Sequence, residues 1–264
     1  MKIKTLLTAI LLGAALVSVS SKTEAAVTSY TDNGELLLGF RQAGANKDYL
    51  IKLGLASSLP LTSSTTFSLG NFALDLQTAF GSNWFTATGA STVYIAVFGD
   101  DANGNGTLYT SRANSTAWGT FNSGQATNAF NNVQQVTGDY NNQLSTSNSS
   151  VGWLENTNAS FSYASYQPGG GNSGGISFSA WSPSTESTLS QNLYLDKMPF
   201  TASGATSTTQ VPGYFTITTN GLTGASEVAT VTYNAVPEPS TYAAFAVGAL
   251  ALLILARQRH HAKA

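Results

Sequence analysis

The sequence predicts a mainly β protein: a β-sandwich or jelly-roll-like ectodomain with two short helices, set between an N-terminal signal peptide and one C-terminal transmembrane helix. Three observations predict it. Short runs rich in β-branched and aromatic residues alternate with turn clusters of Gly, Asn and Asp through the middle of the chain. Charged residues are only 9% of the 264, so Ser, Thr, Asn and Gly must cover the surface. An apolar stretch accompanied by basic residues lies toward each end.

Residues 1–25 have the order of a signal peptide. Lys2 and Lys4 supply a positive start, and residues 6–19 form an apolar run too short to span a bilayer comfortably. Thr23 and Ala25 place small side chains at the −3 and −1 positions, so cleavage is expected between Ala25 and Ala26.

The body, residues 26–235, is read as one β-rich extracellular domain. Residues 35–41 and 48–55 are its first expected strands, joined by a loop at 43–46. Residues 92–98 carry the strongest β character and are expected at the centre of a sheet. The turn cluster 99–106 should return the chain into a strand at 107–112. Residues 214–219 alternate and meet Asn220-Gly221, a hairpin dipeptide, before a last strand at 227–233. Two segments show helical spacing instead. Leu69, Phe72, Leu76 and Phe80 share one face and stop at Gly81; Ala126, Ala129, Phe130, Val133 and Val136 share another, with Ser123 as cap and Gly138 as stop. Residues 139–188 are rich in Asn, Ser and Gly and read as long loops, with short strands at 160–166 and 175–180.

Several chemistries are excluded by residue type. The chain has no Cys, and its two His residues, His260 and His261, lie outside the body. A thiolate or imidazole metal site or a Ser-His-Asp triad cannot be assembled there, and no cofactor is expected. The body holds five basic residues against eleven acids, a net charge of −6 without a basic cluster, which argues against nucleic acid.

Three weaker constellations remain. Asp101, Asn103 and Asn105 followed by Gly106 resemble half of a calcium loop, but the twelfth position is Arg112 where a bidentate Glu belongs, so a hairpin turn is the preferred reading. Trp84, Trp118, Trp153 and Trp181 are candidates for stacking on sugar rings, the basis of an alternative reading as a carbohydrate-binding module. Asp100, Asp101 and Glu155 are the acids that a second alternative, a histidine-free carboxylate glycoside hydrolase, would have to use. No catalytic residue is assigned, and the chain is read as no enzyme.

The segment 236–264 has three parts. Val236, Pro237, Glu238, Pro239, Ser240 and Thr241 form a motif; residues 242–256 are fifteen without a charge; Arg257, Arg259 and Lys263 make a basic tail. A helix over about 241–257 is a marginal span at 1.5 Å per residue, lengthened by snorkelling arginines. Arg257 and Arg259 form a cytoplasmic stop, which sets the body outside. Motif, helix and basic tail together resemble the sorting segment of PEP-CTERM proteins of the bacterial envelope. The resemblance implies an exosortase-type processing enzyme as partner. It also implies transient anchoring in the membrane, delivery to the cell surface or extracellular matrix, and a link with exopolysaccharide or biofilm.

Overall fold

The computed structural model describes residues 22–24, 29–42, 48–70, 72–102, 106–113, 120–121, 123–143, 153–155, 163, 186–199 and 206–236. Among the described residues there are thirteen strands: β1 Lys22–Glu24, β2 Glu35–Gln42, β3 Asp48–Leu55, β4 Ser64–Ser68, β5 Val93–Asp101, β6 Thr107–Arg112, β7 Thr120–Phe121, β8 Trp153–Glu155, β9 Ser187–Thr188, β10 Leu193–Pro199, β11 Thr206–Ser207, β12 Thr209–Thr219 and β13 Ala229–Ala235. Two α-helices join them, α1 Phe72–Phe80 and α2 Ser123–Gln143.

Eleven strands form one curled sheet in the order β1-β4-β13-β12-β10-β6-β5-β2-β3-β8, with β9 pairing β5 beside β6; β7 and β11 pair separately. Every ladder is antiparallel except β1 on β4. The mainly β body with two helices matches the expectation, but among the described residues the strands form one curled sheet rather than the two stacked sheets of a sandwich or jelly roll. One sheet encloses its own core instead. Strands β1 and β3 stand near opposite ends of the strand order yet touch, so the sheet curls on itself.

That inner core takes alternate residues from each strand. Leu36, Leu38 and Phe40 of β2 meet Val93, Ile95 and Val97 of β5 and Val231 and Tyr233 of β13, with α1 laid over one open end through Phe72, Ala73 and Leu76. The outer face of β2, β3, β5 and β6 is buried too. Leu37, Leu50, Ala96, Phe98 and Leu108 are covered by Ala126, Ala129, Val133, Val136 and Tyr140 of α2. This is why β2 reads Leu-Leu-Leu in sequence: a strand covered on both faces has no polar side to alternate with. Close approach is built in at Gly99, where a Cβ would meet the Glu35 carbonyl oxygen at 2.0 Å.

Helix α1 ends at Gly81, which takes φ +92° and donates its N–H to the Gln77 carbonyl, as its spacing foretold. Helix α2 does not stop at Gly138. It runs on to Gln143 because Tyr140 is fully buried and the Asn141 amide exchanges two hydrogen bonds with the Tyr30 backbone, at 2.6 and 2.9 Å. Phe130, expected in the apolar face, is only half-buried. The Asn220-Gly221 turn is longer than a two-residue hairpin. The Asn220 side chain accepts from the N–H groups of Leu222 and Val228, and so gathers residues 220–228 into one connection.

Among the described residues no helix is long and apolar enough to cross a membrane, and the expected span at 241–257 lies outside them. Most of the expected signal peptide also lies outside, as do the expected strands at 160–166 and 175–180 except Tyr163. Strand β1 falls inside the segment expected to be removed, so cleavage after Ala25 would leave β4 as the sheet's edge.

Candidate functional site

The junction with the sorting segment is built by β13. Its sequence alternates, turning Ala229, Val231 and Tyr233 into the core and Thr230, Thr232 and Asn234 outward. It is an inside strand, paired with β12 on one side and β4 on the other. The Val236 N–H still reaches the Pro212 carbonyl at 3.4 Å, and the Tyr233 hydroxyl donates to the same oxygen at 2.6 Å. Gly213 makes room for that ring, since a Cβ there would meet Tyr233 at 2.4 Å. Val236 is therefore part of the sheet, and the next residue is Pro237. Pro237, Glu238, Pro239, Ser240, Arg257 and Arg259 lie outside the described residues.

Beside this junction the outer face of β4, β13 and β12 is half-buried and, among the described residues, carries no charge. Register places Thr216, Thr232 and Thr66 in one row and Tyr214, Asn234 and Ser64 in the next. Hydroxyls bond across the rows: Thr66 to Thr232 at 3.2 Å, Thr218 to Thr230 at 2.8 Å, and the Asn234 amide to Thr216 at 3.0 Å. The Tyr214 row continues into Tyr194 of β10, whose ring lies 5.5 Å from that of Tyr214.

Further along the same face lie two buried ion pairs that sequence reasoning missed. Arg112 of β6 makes two hydrogen bonds to Asp196 of β10, at 2.7 and 3.0 Å, with both side chains fully buried and the Tyr194 ring 5.5 Å from the guanidinium. Arg41 of β2 binds Glu186 at 2.7 and 2.5 Å, with Tyr94 at 5.1 Å and the Tyr163 hydroxyl donating to Glu186 at 2.9 Å. In each, a tyrosine on the adjacent strand stands opposite the arginine in register. The only signal was a charge placed inside an expected strand, at Arg41 and Arg112.

Asp100 is another fully buried acid. Its carboxylate accepts from the Tyr30 hydroxyl at 2.6 Å, and its own N–H donates back to that oxygen at 2.6 Å. Burial pushes the Asp100 carboxyl up to about 6, with the nearby Asp32 adding to the shift and the Tyr30 bond opposing it. The Tyr30 hydroxyl is driven far up by burial and by Asp100.

The sequence candidates are dispersed. Asp100 and Asp101 end β5, level with the start of β2, whereas Glu155 lies opposite Asp48 and Arg41 at the end of β2. The two sites are some six residues apart along the strands, about 20 Å at 3.3 Å per residue, against the ~5–9.5 Å that paired glycosidase carboxylates require. Trp84 is not a sugar platform. It is fully buried, its indole N–H donates to Glu227 at 3.1 Å, and it packs edge-on against Phe40 and Phe85. Trp118 and Trp181 lie outside the described residues, and Trp153 falls in β8. Asp101 pairs with Thr107 across the β5–β6 hairpin, while Asn103 and Asn105 lie outside the described residues. Among the described residues no three His, Cys, Asp or Glu side chains cluster as a metal site.

The model of the PEP-CTERM protein-sorting motif matches residues 235–259. The match begins at the last residue of β13 and takes in the motif, the uncharged stretch and both arginines. It implies an exported chain that carries a membrane-anchoring sorting signal and is processed by an exosortase. No curated protein and no solved structure matches the chain.

Proposed function

We propose, starting from the PEP-CTERM sorting motif at residues 235–259, that this is a non-enzymatic protein of the cell envelope or extracellular matrix. It is exported, held by its C-terminal helix with Arg257 and Arg259 on the cytoplasmic side, and then processed by an exosortase-type enzyme that acts on the Pro237–Pro239 neck. The single observation that carries this reading is the motif match joined directly to a folded strand. An extracellular polysaccharide is the partner the surface favours. The rows of threonine, serine and asparagine on β4, β13 and β12, flanked by Tyr214 and Tyr194, offer uncharged hydroxyl donors and acceptors beside aromatic rings.

Replacing Pro237, Glu238 and Pro239 with alanine tests the sorting step. Export should persist, and the unprocessed chain, still carrying Arg257 and Arg259, should accumulate in the membrane fraction. Release of the variant at the parent's rate would reduce the segment to a plain anchor.

A further inference from the structure

We propose that the body rests on the bilayer with one defined end of its sheet, the end that exposes Leu55, Leu61 and Val236. The proposal deepens the sorting reading and rests on it.

The first argument is connectivity. Val236 is hydrogen-bonded into the sheet, so the tether cannot peel away from it without breaking the β13 ladder. From Val236 to Tyr242, where the uncharged stretch opens, is six residues, at most about 20–22 Å even fully extended. The headgroup layer takes up about 5–8 Å of that reach. A body so confined meets the surface at high effective concentration, and weak apolar contacts suffice to orient it.

The second argument is topology. Strand β4 is antiparallel to β13 with Asn234 opposite Ser64, so β4 starts at the end where β13 finishes. The connection 56–63 that leads into β4 therefore lies at the end from which the tether departs.

The third argument is what closes that end. The connection from β3 to β4, residues 56–63, crosses the mouth of the curl. Ala56 and Leu59 plug into the inner core while Leu61 stays 65% exposed, beside Leu55 at 37% and Val236 at 46%. The opposite end exposes Leu222 and Val228 just as freely, so exposure alone selects nothing; the tether selects. Among the described residues the charged groups at the tethered end include Lys197, Lys52 bound to Glu35 at 2.8 Å, the half-buried Asp32 and Asp101, and the buried Asp100. That set is not a basic patch, so the contact does not depend on anionic lipid.

The 264-residue chain has no cysteine, so single thiols can be introduced cleanly. Leu61→Cys and Leu222→Cys both alter exposed side chains, and each is labelled with a small fluorophore and reconstituted into phosphatidylcholine vesicles containing brominated lipid. The label at 61 should be quenched several-fold more strongly than the label at 222, with no change between low and high salt. Equal quenching, or stronger quenching at 222, in protein that floats with the vesicles overturns the proposed orientation and leaves the anchor intact. Protein that does not float with vesicles overturns the anchor reading and the orientation together.

Discussion

Removing one partner of the Arg112–Asp196 pair should cost more than any other single charge change in the body. Both side chains are fully buried, and the guanidinium meets the carboxylate through Nε at 2.7 Å and Nη2 at 3.0 Å. In Asp196→Ala the Arg112 charge stays in place without its counter-ion. Breaking a buried pair in this way costs about 3–5 kcal/mol. At ~2–4 °C per kcal/mol for a domain of this size, the unfolding midpoint should fall by roughly 6–20 °C. Among the described residues Arg112 Nη1 has no hydrogen-bond partner, which raises the desolvation cost of the intact pair. The double variant Arg112→Met with Asp196→Leu should accordingly recover most of the loss, and exceed the parent if repacking gives the ~1–4 kcal/mol seen when buried pairs become apolar. Thermal unfolding of the exported protein by circular dichroism measures all three. A loss below about 1 kcal/mol in Asp196→Ala, the scale of a surface pair, would refute the reasoning. So would a double variant no better than the single one.

Two further predictions follow from buried groups. The Asp100 carboxyl is raised from 3.8 to about 6, so the folded state holds its proton more tightly than the unfolded state. Its contribution to stability is full below about 4 and is lost as pH rises through about 6. Asp100→Asn should therefore flatten the fall in unfolding free energy between those values, and an unchanged pH profile in denaturant titrations would contradict it. Two glycines should respond with opposite sign. Gly99→Ala drives a methyl into the Glu35 carbonyl and should leave no folded protein, whereas Gly138→Ala, with open space in mid-helix α2, should stabilise by about 0.5–1 kcal/mol in the same titration.

What the sequence reveals of this fold depends on how far each strand is explained by its own residues. Strands β3 and β6 lie where β-branched and aromatic spacing puts them, at 48–55 and 107–112. Strand β10 is not visible that way. Asp196, Lys197 and Pro199 break its strand pattern, and Asp196 is accommodated there because Arg112 of β6, opposite Tyr194, reaches it diagonally. Strand β4, Ser-Thr-Thr-Phe-Ser, has one large apolar residue, and its place is given by β13, more than 160 residues away. The sorting motif was legible because it is a local code of residue type and order. Neither the Thr–Tyr face nor the buried arginine pairs were, because each is assembled across strands distant in sequence.

The position of β13 also sets a clock on folding. The last strand of the body fills a slot between β12 and β4, so β4 has no antiparallel neighbour until residues 229–235 have left the export channel. By then the next residues to emerge are those of the sorting segment, which begins one residue after β13. Early strands must wait, open to aberrant pairing, for a partner delivered at the end of translocation. Closure of the sheet and capture of the tether by the membrane therefore coincide in time, and truncation upstream of residue 229 would release a chain unable to complete its own sheet.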